Sequence, residues 1–220
     1  MKIEFDSIVK ADASDTVSKI LRTALEMFAV ATPAAVRMRS IAAEAKVNLA
    51  SMNYHFGSKE NLYLELAKMI VEYQKSEYAP FFKRFKEIAK SKDKIEAKNL
   101  IKDVLSSRIR YESETNKYVR SMILILMREE LCNTDAFNLF LRELFIPRGD
   151  MMSKLIEIGS SGKFKGDEAK IAAKMLLGQT HLFNSARIGV KLDMNWKIFG
   201  ESQAAQVRGV CSKFVDKILD

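Results

Sequence analysis

The stretch Arg37 to Lys59, R-M-R-S-I-A-A-E-A-K-V-N-L-A-S-M-N-Y-H-F-G-S-K, leaves little freedom in how it can fold. Met38, Ile41, Ala42 and Ala45 recur three and four residues apart, as one face of an amphipathic helix requires. Lys46 and Val47 then make a tight turn. Asn48 suits the cap of a second helix, because its side-chain oxygen can accept from an otherwise unpaired backbone N–H, and Val47 before it can pack on Met52 as a hydrophobic staple. Met52 and Phe56, four apart, anchor that helix and leave Leu49, Ala50, Ser51, Asn53, Tyr54 and His55 to its outward face and flanks. Ser58 can cap a third helix, with Glu60 near its positive end.

The flanks agree with this reading. After Asp15, a plausible N-cap, Val17, Ile20, Leu21, Ala24, Leu25 and Phe28 predict a helix with one buried stripe that braces the pair. Pro33 disfavours helix for the residue before it, so residues 31 to 35 form a loop. Downstream, Leu62, Leu66, Met69, Ile70 and Tyr73 give a connecting helix its buried stripe. Residues 1–14 have mixed charge without periodicity and read as an arm. With only three prolines and nine glycines in 220 residues, long stretches lack any helix breaker, which favours an all-α fold.

The motif I-A-x-x-A-x-V followed by x-x-S-M-N-Y-H-F-G-S-K-E-N-L-Y resembles the DNA-binding signature of the TetR family of bacterial transcription regulators, over roughly Thr16 to Leu66. The resemblance implies an N-terminal three-helix helix-turn-helix domain over 15–62 and a larger C-terminal helical ligand-binding and dimerisation domain over 63–220. It also implies a ligand-responsive repressor that binds a palindromic operator as a homodimer, with a small-molecule effector. A helix-turn-helix lays its second helix in the major groove, which makes Ser51, Asn53, Tyr54 and His55 the candidates for DNA contact. Asn53 can bond bidentately to adenine, and Tyr54 suits the backbone. Arg37, Arg39, Ser58 and Lys59 would hold phosphates, and Asn48 at the helix start completes the set. The chain departs from the family where Lys46 replaces a usual Gly, Arg37 a Ser or Thr, Leu49 a polar residue and Asn53 a Tyr. Lys46 then has to take a left-handed conformation, at a cost on the order of 1 kcal/mol.

Beyond the signature, Pro80 interrupts the helical pattern, and Phe81, Phe82 and Phe85 alternate with lysine and arginine. Such interleaving can bind single-stranded nucleic acid, yet the spacing better fits aromatics facing a core and solvated bases. Leu100, Ile101, Val104, Leu105, Arg108 and Ile109 continue as a helix, and a polar break covers Glu112 to Lys117. The apolar run Met122 to Met127 predicts a helix enclosed by protein in the middle of the larger domain. Arg128-Glu129-Glu130, Ala136-Phe137 and Ile146-Pro147 resemble a C-terminal domain of one branch of the family. The loop Gly159 to Gly166 could cradle phosphate but lacks P-loop spacing. Two long helices follow. Ala169, Ala172, Ala173 and Leu176 on the first, with Val207, Cys211, Phe214 and Ile218 on the second, are the candidates for a four-helix dimer interface. Met122, Leu126, Phe137, Phe140, Met151, Met175 and Phe183 could line an adaptable apolar cavity for the effector, or form ordinary core.

The remaining composition limits the alternatives. A net charge of +8 is compatible with a polyanionic partner, here double-stranded DNA. His55 and His181 are the only histidines, and no nucleophile elbow, zinc-protease or nucleotide signature is present, so neither catalysis nor a cofactor or metal is expected. Cys132 and Cys211 are far apart and read as small buried residues. Without a signal-like or membrane-spanning segment, the expected location is cytoplasmic. Two rivals stay open: an interaction module that has lost DNA binding, motivated by Leu49 at the recognition helix, and a helical enzyme resting on the possible cavity.

Overall fold

The computed structural model describes Phe5 and residues 15–111, 116–131, 134–185 and 187–220, and every regular element among them is helical. The rest of the N-terminal arm, residues 112–115 of the polar break, and Cys132 lie outside the described residues. No described helix is long and apolar enough to cross a membrane. In chain order the helices are α1 (Thr16–Val30), α2 (Met38–Glu44), α3 (Leu49–Phe56), α4 (Lys59–Ser91), α5 (Lys94–Arg108) and α6 (Lys117–Glu129). They continue with α7 (Asp135–Phe140), a π-helical turn (Leu141–Phe145), α8 (Ile146–Gly159), α9 (Gly166–Ser185), α10 (Arg187–Asp193) and α11 (Glu201–Leu219). Contacts group the chain into two compact units, Met1–Glu77 with Asn116–Leu144, and Tyr78–Thr115 with Phe145–Asp220.

In the first unit, α1 starts where the Asp15 carboxylate accepts from the Ser18 N–H at 2.9 Å; the Ser18 side chain, together with that backbone bond, holds this carboxyl below its ordinary range. Its stripe Ile20, Leu21, Ala24, Leu25 and Phe28 is buried as the spacing predicts. α2, α3 and α6 all pack against α1. The position of α6 differs from the expectation of a helix at the middle of the larger domain. Its buried residues Val119, Met122, Ile125 and Leu126 form one stripe, while Ile123, Leu124 and Met127 are only half-buried, and α1 is its principal partner. At the end of α6 the Arg128 guanidinium donates through Nη1 to the Ala31 carbonyl at 2.8 Å, satisfying a carbonyl just past the end of α1. Phe28 and Tyr63 meet edge-on with ring centroids 4.8 Å apart. The Phe5 ring is buried 4.7 Å from that of Tyr73.

Pro80 does not end a helix: α4 runs through it for 33 residues. Proline removes one N–H from the ladder, but Tyr78, Phe81, Phe82, Phe85 and Ile88 around it all pack on the core of the second unit, and that burial offsets the lost bond. The expected inward-facing aromatics are therefore present. A second proline has a different effect. Pro147 cannot donate to the carbonyl four residues earlier, and the ladder ahead of it widens into the π turn Leu141–Phe145.

The second unit is built on α8, which packs on α5 and α9, and on α11, which packs on α5. Leu100, Ile101, Val104 and Leu105 of α5 meet Met152, Leu155 and Ile156 of α8 and Val215 and Leu219 of α11 in its core. Gly159 lets these helices close in, since a Cβ there would lie 3.3 Å from Lys98 Cγ and 3.4 Å from Leu219 Cδ1. The carbonyls at the end of α5 are capped from elsewhere in the unit. Arg108 O accepts from Asn184 at 2.8 Å, Ile109 O from Arg208 Nε at 3.1 Å, and Arg110 O from Arg187 at 2.6 Å. A smaller cluster of Ile109, Phe199, Ala204, Val207 and Cys211 sits beside these caps, so Cys211 is the small buried residue expected, and burial pushes its thiol up.

Candidate nucleic-acid interface

The turn between α2 and α3 is closed by two backbone bonds, Val47 N–H to Ala42 O at 3.0 Å and Lys46 N–H to Ala43 O at 3.2 Å, the paired pattern of a Schellman stop. The residue at its left-handed position is Lys46, with φ of 55°, as the missing glycine requires. Asn48 then caps α3, its side-chain oxygen accepting from the Ala50 N–H at 2.8 Å. Met52 is fully buried and fixes the rotation of α3, while Phe56 is only half-buried. Gly57, with φ of 70°, ends the helix, and Ser58 Oγ accepts from Asn61 N–H at 3.1 Å to open α4.

With Met52 inward, helical periodicity turns Ala50 and Tyr54 farthest from the core, with Asn53 and Ser51 to either side of them and Leu49 and His55 on the flanks nearer Met52. Leu49, Ala50, Asn53, Tyr54 and His55 are exposed, Tyr54 by 85%, and Ser51 is half-buried. The Tyr54 and His55 rings lie edge to face at 5.3 Å. Arg37, Arg39 and Asn48 are exposed, and Ser58 and Lys59 are half-buried at the opening of α4. The nine candidate DNA contacts thus belong to one compact unit, and each keeps at least part of its surface in solvent. α3 can offer amide, imidazole and hydroxyl groups to base edges, and the starts of α2 and α4 can offer guanidinium and ammonium groups to phosphates.

The candidate dimer residues are corrected by their burial. Ala169, Ala172, Ala173 and Leu176 lie inside the second unit's own core, and Val207 and Cys211 inside its smaller cluster. Their burial within one chain leaves them little surface to offer a second. Of the proposed eight, Phe214 is half-exposed and Ile218 partly buried. The outward side of α9 instead carries Ile171, Met175, Gly178 and Leu182, and that of α11 carries Val210 beside Phe214.

The candidate cavity residues are divided between the two units. Met122, Leu126 and Phe140 are buried and Phe137 half-buried in the first unit. In the second unit Met151 is packed in the main core, Phe183 against the smaller cluster, and Met175 is exposed by 68%. A group that the sequence did not single out converges there. Arg108 Nε donates to Thr180 Oγ1 at 2.8 Å and its Nη1 to the Tyr78 hydroxyl at 3.3 Å, while the Arg148 guanidinium lies 3.7 Å from the Tyr78 ring centroid. Burial pushes the Tyr78 hydroxyl up, but the charges of Arg108, Arg148 and Arg110 carry it below its ordinary value. Burial, with a contribution from Arg108, pulls Arg148 down to about 10, and the same two causes lower His181. The only sequence signal was Arg108 itself, a charge continuing an apolar stripe; its partners come from α4, α8 and α9.

The loop after α8 borders an open cleft of about 460 Å³ lined by Lys92, Lys94, Lys154, Lys165 and Glu157 among others. Its amides at Ser161, Gly162 and Lys163 already bond to the carbonyls of Ile158, Glu157 and Ser160, so they form no phosphate cradle. Among the described residues no group of His, Cys, Asp or Glu could hold a metal ion.

Residues 20–66 match the family profile of bacterial regulatory proteins of the tetR family, and residues 101–220 match the C-terminal domain of the HTH-type transcriptional dual regulator CecR. CecR of Shigella flexneri is 24% identical over 183 residues, which cover 82% of this chain and 81% of that protein. A transcriptional regulator from Saccharomonospora viridis, solved in complex with choline, has the same fold with a TM-score of 0.59 at 19% identity, over 92% of this chain and 96% of that one. A TetR-family regulator from Agrobacterium tumefaciens matches with a TM-score of 0.55 at 17% identity, over 92% and 96% of the two chains.

Proposed function

This chain belongs to the TetR family of bacterial transcription regulators, with a CecR-type C-terminal domain, and we propose that it is a ligand-responsive repressor binding a palindromic operator as a homodimer. The observation that carries the proposal is the solvent-facing surface of α3, where Asn53, Tyr54 and His55 stand exposed and Ser51 is half-buried. Asn53 reads a base, and Ser51 and His55 bond base edges or phosphates. Tyr54, Asn48, Arg37, Arg39, Ser58 and Lys59 position the duplex through its backbone.

Dimerisation is assigned to the outer sides of α9 and α11. Ile171, Met175, Gly178 and Leu182 repeat at intervals of four, three and four residues, the seam spacing of packed helices, and Gly178 has nothing within 4 Å of where its Cβ would be. Two-fold pairing of this stripe with Val210 and Phe214 would bury apolar side chains that a single chain leaves in water.

The effector is assigned to the second unit, with Tyr78, Arg108, Thr180 and His181 as polar anchors within a largely apolar core, the usual make-up of a small-molecule site. A relative of the same fold that holds choline supports a small molecule in this role. An effector that prefers the arrangement unable to span both half-sites shifts the population off DNA, by no more than its differential affinity for the two arrangements.

The test is to select genomic fragments on the purified protein and footprint them at low salt. A protected, two-fold symmetric site is expected. Failure to protect any symmetric site would sink the proposal in favour of a protein-interaction role.

A further inference from the structure

The first two residues of α3 carry only hydrocarbon side chains. Leu49 and Ala50 follow the Asn48 cap directly and both are exposed: Leu49, on the flank of the helix one turn before the fully buried Met52, keeps 40% of its surface in water. The fully buried anchor of this helix is Met52, so neither residue is needed to fix its rotation. In a helix-turn-helix the N-terminal residues of the second helix are the ones that reach base edges. A leucine at that position cannot donate or accept a hydrogen bond. Over a G·C or C·G pair it would strip water from polar edges without replacing the lost bonds. The one feature of the major groove that a hydrocarbon side chain can read favourably is the C5-methyl group of thymine.

We propose that Leu49, with Ala50 beside it, is a specificity-determining residue that seats against a thymine methyl group in each operator half-site. The inference rests on α3 docking in the major groove, as proposed above, and adds what its first turn recognises. Asn53, one turn further along the same side, then reads the hydrogen-bonding edge of a neighbouring pair, so that the helix combines a methyl contact with an amide contact. An exposed leucine here is thus a recognition element, and the departure from the polar residue usual in the family becomes the source of a distinct operator preference.

The experiment uses the operator recovered by selection on the intact protein. Each thymine is replaced in turn by deoxyuridine, which lacks only the methyl group, and affinity is measured by fluorescence anisotropy. For the native chain, at least one symmetric pair of replacements is expected to weaken binding about fourfold per methyl, the worth of burying one hydrocarbon carbon. In Leu49→Ala that difference between thymine and deoxyuridine should shrink toward unity at the same positions. Because Leu49 is exposed, the variant should keep its helical circular dichroism and melting temperature. Insensitivity of the native chain to every replacement, or unchanged sensitivity in Leu49→Ala, overturns the assignment while leaving operator binding intact. Recovery of no operator at all overturns the regulator reading and this inference with it.

Discussion

The Tyr63 hydroxyl donates to Glu129 Oε1 at 2.7 Å across 66 residues of sequence, and Glu129 is completely buried. Its other oxygen accepts from the Thr134 hydroxyl. Burial and the adjacent carboxylate both push the Tyr63 phenol well above its ordinary range, so it stays a donor at any physiological pH. The first turns of α4 are in this way tied to the end of α6. Tyr63→Phe removes a donor from a buried carboxylate and should lower stability by about 1–3 kcal/mol, read from the urea midpoint. An unchanged midpoint would mean that the tie contributes nothing.

Lys46 occupies a left-handed position with φ of 55°, where glycine pays no steric penalty. Lys46→Gly should raise the thermal midpoint, by a free energy on the order of 1 kcal/mol less the entropy that glycine adds to the unfolded chain. Calorimetry decides it, and a lowered midpoint would show that the lysine side chain contributes more than its conformation costs.

Asn53 and Lys59 have different assigned roles, which a comparison of variants can separate. Asn53→Ala should relax preference at one position per half-site, at a cost of about 1–3 kcal/mol on the preferred sequence. Lys59→Ala should weaken all sequences alike and flatten the dependence of affinity on salt by about one phosphate contact. If both variants lose affinity uniformly, the assignment of base readout to Asn53 is wrong.

Met175 and Phe214 stand 68% and 50% exposed on the proposed dimer seam. Phe214→Glu together with Met175→Lys should leave the fold intact and shift the mass measured by light scattering from two chains to one. A native chain that is monomeric at micromolar concentration would remove the seam from consideration.

His181 carries a pH signature. Burial, aided by the charge of Arg108, lowers its pKa in the folded chain below the ordinary value of 6.5. The unfolded chain therefore takes up a proton first as pH falls, and stability declines from about 6.5 down to the lower folded value, then levels off with respect to this group. Above 6.5 both states are neutral and the contribution is constant. His181→Gln should flatten urea midpoints between pH 7 and 5 relative to the native chain, and parallel slopes would refute the role of this residue.

What the sequence revealed was local. α1, α2 and α3 were legible because Asp15, Asn48, Lys46 and the three-and-four spacing of Leu21, Leu25, Ile41 and Met52 act within a turn or two of themselves. The membership of α6 was not, because its partner α1 is far away in the chain: Arg128 and Ala31 are 97 residues apart. α9 defeated the reading for another reason. Apolar residues occur on two of its sides, and spacing alone could not tell Ala169, Ala173 and Leu176, which face the core, from Ile171, Met175 and Leu182, which do not. Pro80 misled because a proline's local cost was visible while the packing of Tyr78 and Phe81 around it was not. The polar group of Tyr78, Arg108, Arg148 and Thr180 was invisible for the same reason, its members being drawn from four helices.

The grouping of α6 and α7 with α1, α2 and α3 has a practical consequence for transplantation. A graft cut after the recognition helix, or after Glu77, would carry off the bracing helix without the α6 stripe that packs on it, and would leave that side of α1 uncovered. The smallest exchangeable reader is therefore discontinuous: any chimera that borrows this operator preference must borrow residues 116–144 as well. Shuffling between relatives by a single crossover near residue 62 would break this contact set, so changes in α1 and in α6 should be inherited together.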